Sequence, residues 1–194
     1  NEDPSSFAAN ALIDIFEKNS LNPQDIGRIY MGTESALDAS KPSATYATDM
    51  LEKSLAKKFG ERSLKNCDVT DMTFACIGGV DALQNTMDWI SRNPGKKAIV
   101  VTSDLSKYEL NSTGEYTQGA GAVALLISEN PSIISIDNHW GIATKSENDF
   151  FKPRRTFNKK SLIKEIIAKL ELDISEKDFE SNLSNSEFWD NNSE

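Results

Sequence analysis

The 194-residue sequence holds only two cysteines, Cys67 and Cys76, and a single histidine, His139. Two cysteines do not make a disulfide framework. One histidine, with no Cys or His pairs at ligand spacing, makes no metal constellation. Lys and Arg number 21 against 30 Asp and Glu, a net charge of −9. The basic cluster that a nucleic-acid surface requires is missing. No apolar run reaches the length of a membrane span, and no signal peptide is visible. What remains is an ordinary globular composition, with enough residues for a sizeable core and reduced thiols that suit a cytoplasmic protein. The start, Asn1-Glu-Asp-Pro, has no initiator methionine and leads into a helix almost at once, so the chain reads as a fragment.

The stretch Asp71-Met-Thr-Phe-Ala-Cys-Ile-Gly-Gly-Val-Asp-Ala-Leu-Gln-Asn-Thr-Met-Asp-Trp-Ile90 organises the rest. It reads as the end of a buried strand, a tight turn, and an amphipathic helix. Val80, Leu83, Met87 and Ile90 recur at the spacing of one helix face. Cys76 then lies at or just before the helix N-terminus, where aligned peptide dipoles favour a thiolate. A nucleophilic thiol belongs at such a point. A small buried filler is the other reading, since free cysteine is among the most buried residues. Gly78 and Gly79 follow, where the lack of side chains permits close approach.

In chain order, Ser5 or Ser6 caps a helix reaching residue 19, with Phe7, Ala11, Leu12, Ile15 and Phe16 inward. Residues 26–31 are a strand, 32–42 a loop, and 43–59 a helix closed by Gly60. Residues 67–73 form the strand that delivers Cys76. Pro94-Gly95 ends the following helix. Residues 98–102 are a fully apolar strand, of the kind covered on both faces. A polar loop runs to Gly119, residues 120–127 form another strand, and residues 133–136 its hairpin partner. Helices alternating with strands predict an α/β layered architecture with a mixed sheet. Residues 1–150 make the main part. Residues 151–194 make a linker, a helix at 161–170 and a tail with eight acids against one lysine, expected to be loosely held.

Ligands gather at the carboxyl ends of strands in open α/β sheets. If the strands ending near Met31, Thr73 and Thr102 are parallel, Glu34, Cys76 and Asp104 emerge at one edge. A thiol and a carboxylate there suit acyl transfer with acid/base help. Glu34 reads equally as a solvated loop carboxylate. Tyr108, Asn111, Thr113, Tyr116 and Thr117 supply polar groups in one loop, either for a ligand or as ordinary turn residues. Gly114 and Gly119-Ala-Gly121 do not follow a strand in the phosphate-binding pattern. His139 reads as a structural or surface residue.

Four motifs carry a family resemblance: Gly32-Thr-Glu-Ser-Ala-Leu-Asp, Thr73-Phe-Ala-Cys-Ile-Gly-Gly, Asp104-Leu-Ser-Lys-Tyr108, and Asn111-Ser-Thr-Gly-Glu-Tyr-Thr-Gln-Gly-Ala-Gly-Ala-Val. In this order they resemble 3-hydroxy-3-methylglutaryl-CoA synthase, of the thiolase superfamily, from Glu2 to about Pro153. The resemblance implies a thiolase-like layered fold, with this chain as one half of a duplicated arrangement. It implies acetylation of Cys76 by acetyl-CoA, Glu34 as general acid/base, and condensation with acetoacetyl-CoA. Tyr108, Asp104, Thr117 and Gly78 are the expected substrate-side residues. No cofactor and no metal is implied, the partners are acyl-CoA substrates, and a homodimer is expected. The family's catalytic histidine belongs to a segment these residues do not match, and His139 does not fit its motif. Two alternatives stay open: a related condensing enzyme that takes carrier-protein-bound acyl groups, and a non-catalytic partner half.

Overall fold

The computed structural model describes residues 2–108, 110–137, 139–145, 156–158, 167–168 and 187–189. The chain divides into two compact units, Asn1–Trp140 and Gly141–Glu194.

The first unit opens with helix α1, Pro4–Lys18. Its N-cap is Asp3, not Ser5 or Ser6. The Asp3 carboxylate accepts from the Ser6 amide at 2.8 Å, and the Asp3 amide donates to Ser6 Oγ at 2.8 Å. Pro4, with no amide hydrogen to satisfy, takes the first helical position. Ser5 is buried instead, and its hydroxyl donates to the Ser43 carbonyl at 3.1 Å. Strand β1, Ile26–Thr33, follows, then helix α2, Ser43–Phe59, closed by Gly60 at φ 80°. Strand β2 is Asp68–Thr73, helix α3 Gly78–Ser91, strand β3 Lys97–Leu105 and strand β4 Ala120–Ser128.

These strands form one mixed sheet in the order β2-β1-β3-β4. β1 runs parallel to both β2 and β3, and β4 is antiparallel to β3. Thr33 pairs with Thr73 and Gly32 with Thr102, so the three parallel strands finish together. Side chains alternate across the sheet. Ile29, Met31, Ile99 and Val101 enter the main core with Ala8, Leu12, Ala47 and Leu51 of α1 and α2. Tyr30 and Val100 face the other way, onto Ala82 of α3. Helices on both faces explain why residues 98–101 are apolar without a break: all four are buried.

α3 sits on a face turned from the expected one. Its buried residues are Gly78, Ala82, Thr86 and Ile90, whereas Val80 is exposed. The helix lies so close to the sheet that only small residues fit beneath it. A methyl built on Gly32 would lie 2.5 Å from the Gly79 Cα and 2.7 Å from the Gly78 carbonyl carbon. One built on Gly78 would lie 2.5 Å from the Met72 carbonyl oxygen. Neither space can hold a carbon atom.

The expected hairpin strand at residues 133–136 does not form. These residues are irregular, with Ile133 92% and Ile134 71% exposed. Pro131 lies just before them, in the connection that leaves β4. In the second unit, β5, Thr156–Asn158, pairs antiparallel with β6, Glu187–Trp189, a strand within the tail expected to be loose. Residues 167–168 are helical; the rest of the helix expected at 161–170 lies outside the described residues.

Replacing Gly32 with Ala is expected to force β1 and α3 apart. Backbone cannot yield as a side-chain tip does, so the cost is expected at the upper end of overpacking, about 3 kcal/mol. A urea denaturation midpoint that does not move would show that the two backbones have slack.

Candidate active site

Three local devices bring side chains to the carboxyl edge of the parallel strands. The first is the turn after β2. Ala75 has φ 37°, a left-handed conformation that costs a side-chain-bearing residue about 1 kcal/mol. The turn is closed by the Ile77 and Gly78 amides, which donate to the Phe74 carbonyl at 2.9 and 3.0 Å. Cys76 is carried on this single 3-10 turn, Ala75–Ile77, immediately before α3, and it is exposed.

The second device is Asp104, at the end of β3. Its Oδ1 accepts from Thr33 Oγ1 at 2.9 Å, the Glu34 amide at 2.8 Å and Ser35 Oγ at 2.8 Å. Ser35 Oγ in turn accepts from the Leu105 amide at 3.0 Å. One carboxylate oxygen thus fixes the backbone on either side of Glu34. Such charge-assisted bonds are stronger than neutral ones.

The third device is the loop from Ser106 to Gly119. The Ser106 amide donates to the Gly119 carbonyl at 2.8 Å, which closes its base. Gly114 lies flat on the Tyr108 ring: a methyl there would sit 2.6 Å from Cδ1 and 2.9 Å from Cγ. The phenol donates to Glu34 Oε1 at 3.3 Å. The Ser106 hydroxyl donates to the same oxygen at 2.5 Å.

The Tyr108 pKa is raised. Burial contributes most, followed by the charge of Glu34, the hydrogen bond to Glu34, and the charge of Cys76. The Thr117 hydroxyl acts in the opposite direction. The phenol is therefore within electrostatic reach of the thiol as well as bonded to the carboxylate. Raised from 10.0, it stays protonated and donating at neutral pH. The stability it contributes is complete below the unfolded pKa and is lost as pH climbs through the raised folded one.

Of the residues singled out from sequence, Glu34, Asp104 and Tyr108 form one bonded group, and the charge of Cys76 is among the smaller influences on Tyr108. Thr117 is exposed at the loop base, its hydroxyl donating to the Gly114 carbonyl at 2.8 Å. Gly78 is buried in the strand–helix contact described above, and packing is what the structure shows of it. Tyr116 is exposed, and so is His139, in the irregular segment after β4. Ser35 and Ser106 lie within the motifs quoted from the sequence, but sequence reasoning gave neither a role. It also missed Asp71, whose carboxylate accepts from the Ser43 and Ala44 amides at 2.5 and 2.8 Å and caps α2 from a neighbouring strand. No local pattern says what these three residues bond to. Among the described residues, no group of His, Cys, Asp and Glu is arranged to hold a metal ion. No helix among them is long and apolar enough to cross a membrane.

A mixed sheet with helices on both faces, and a cysteine on the turn between a parallel strand and its helix, define the thiolase-like class. A family profile for the hydroxymethylglutaryl-coenzyme A synthase N terminal matches residues 1–132. The chain belongs to the hydroxymethylglutaryl-CoA synthase family. It is 39% identical over 158 residues to the hydroxymethylglutaryl-CoA synthase of Haloferax volcanii, covering 80% of this chain and 34% of the relative. To that of Ganoderma lucidum it is 36% identical over 155 residues, covering 79% and 31%. Among solved structures, MvaS in complex with 3-hydroxy-3-methylglutaryl coenzyme A superimposes with a TM-score of 0.68 at 35% identity, over 78% of this chain and 35% of that one. The HMG synthase of the curacin biosynthetic pathway gives 0.59 at 32%, over 74% and 34%. The chain spans about a third of the length of the curated relatives it matches.

Two measurements check this geometry. Burial, and then the charges of Asp68 and Glu52, push the Cys67 thiol up to about 12. At pH 8 such a thiol is ionised to about one part in ten thousand. Alkylation at pH 8, followed by peptide mass mapping, is expected to modify the exposed Cys76 and spare the half-buried Cys67; equal labelling would contradict the raised Cys67 pKa. In an absorbance titration of phenolate, Glu34→Gln is expected to bring the Tyr108 step down toward its ordinary value. Tyr108→Phe identifies which step that is.

Proposed function

We propose that this chain carries the nucleophile half of an active site that condenses acetyl-CoA with acetoacetyl-CoA to 3-hydroxy-3-methylglutaryl-CoA. One observation carries the reading: Tyr108 is bonded to the Glu34 carboxylate and lies within electrostatic reach of the exposed Cys76. The thiolate of Cys76 attacks the acetyl carbonyl. The bond from that carbon to the CoA sulfur breaks, and CoA leaves with the proton the thiol gave up. Glu34 takes a proton from the methyl group of acetyl-Cys76. The resulting carbanion bonds to C3 of acetoacetyl-CoA, and the C3 oxygen takes the proton back from Glu34. Water then cleaves the Cys76 thioester, which frees the product and restores the thiol.

Tyr108 holds Glu34 and lines the acyl pocket, and Thr117 contacts substrate beside it. Asp104 supports Glu34 through the backbone. Gly78, which must be small for the turn to pack, shapes the thioester pocket. The scheme uses no cofactor and no metal. We place the protein in the cytoplasm, in mevalonate formation, as a homodimer joined through the outer edge of β2.

A second reading has a specific basis. The curacin pathway HMG synthase, a structural neighbour at a TM-score of 0.55 and 32% identity, is known in complex with acetyl donor-ACP. An acyl group delivered on a carrier protein would use the same thiol. Comparing acetyl-CoA with acetyl-carrier protein as donor separates the two.

Mass spectrometry after exposure to acetyl-CoA is expected to find one acetyl group on Cys76 and none in Cys76→Ala. Glu34→Gln is expected to keep the acetyl group and lose condensation by about 1000-fold. Unmodified Cys76 with either donor would end the acyl-transfer reading.

A further inference from the structure

We propose that Ser106 is a positioning residue for Glu34, the group that fixes where its carboxylate points during condensation. This rests on the acyl-transfer reading and adds a residue to it. Glu34 reaches its place on three rotatable side-chain bonds, and its tethered backbone does not by itself set their angles. Two hydroxyls meet its Oε1: Ser106 Oγ at 2.5 Å and Tyr108 Oη at 3.3 Å. An ionised carboxylate only accepts, so both hydroxyls donate. Ser106 is the nearer, and it is the better anchored. It follows the last residue of β3, its amide donates to the Gly119 carbonyl at 2.8 Å, and the preceding Leu105 amide donates to Ser35 Oγ at 3.0 Å. Ser35 is itself bound to Asp104. The Ser106 backbone is therefore tied to the turn that bears Glu34, and a short side chain with one torsion spans the remaining gap. The phenol sits on a longer arm that rises from a loop.

This division of labour gives Ser106 a signature that a residue needed only for folding would lack. Cys76 stands on a different element, the turn between β2 and α3. Acetylation of its sulfur does not call on the angle of the Glu34 carboxylate. Proton removal from the acetyl methyl does.

The test compares the wild-type protein with Ser106→Ala and Ser106→Thr in two assays: acetyl transfer to Cys76, read by mass spectrometry, and condensation with acetoacetyl-CoA, read as kcat and KM. Ser106→Ala is expected to acetylate Cys76 at the wild-type rate and to condense at least about tenfold more slowly in kcat with KM little changed, as for a small misplacement of a catalytic group. Ser106→Thr, which keeps the hydroxyl, is expected to restore most of the rate. Wild-type condensation by Ser106→Ala would overturn the proposal, as would no rescue by Thr. Equal loss of acetylation and condensation would also overturn it, because that marks a role in the fold. A wild-type protein that never acetylates Cys76 would instead overturn the acyl-transfer reading beneath it.

Discussion

Where β1 ends, Gly32 lies against the backbone of Gly78 and Gly79 with no room for a methyl group between them. Strand and helix meet there backbone to backbone. The turn that carries Cys76 is spliced directly onto that contact, since α3 begins at Gly78. Glu34 follows β1 by one residue. The turn that bears Cys76 and the backbone of Glu34 are thus tied to the two sides of one close contact, and main chain sets how those two backbones lie; the Glu34 side chain is oriented separately, by Ser106 and Tyr108. Main-chain packing holds such geometry more tightly than side-chain packing, because there is no rotamer to relax into.

The same edge holds three acidic residues in different states. Asp71 is occupied by the two amides that open α2. Asp104 receives three donors on one oxygen, and two of them come from residues flanking Glu34. Both are consumed in holding backbone. Glu34 is met on one oxygen by the hydroxyls of Ser106 and Tyr108, so its carboxylate is oriented by side chains and is not consumed in capping backbone.

Much of this was readable in advance where the signal is local or periodic. The apolar run at residues 98–102, the helix closed by Gly60 and the four motifs placed the sheet, its parallel strands and the acids at their ends. What failed was what tertiary contact decides. The spacing of Val80, Leu83, Met87 and Ile90 placed Ile90 inward and Leu83 against the core, but it missed Gly78, Ala82 and Thr86 at the centre of the contact and put the exposed Val80 there, because the tightest contact selects the smallest residues. The isoleucines of residues 133–136 resembled a strand, yet Pro131 precedes them and the chain leaves the sheet. Ser6 was read as a cap when it is the reciprocal partner of Asp3. Ser106, Ser35 and Gly114 stand within the quoted motifs, but no local pattern gives their partners. Each matters through a residue far along the chain, and a single sequence holds no trace of that pairing.

The two cysteines sharpen the case for the site, because they stand at opposite ends of β2 in opposite surroundings. Cys67 comes just before the strand, packed against the main core, with its thiol pushed up to about 12. That is what a cysteine used as a small filler looks like: desolvated, beside acids, and inert. Cys76 comes just after the strand on a turn that holds Ala75 at a positive φ, an expense a buried filler would not require. Beside it Phe74 is 62% exposed, so the turn does not serve to bury its own apolar residues either. The turn therefore holds the Cys76 thiol in the open at the cost of a positive φ at Ala75, and an accessible sulfur is what the proposed acyl transfer requires.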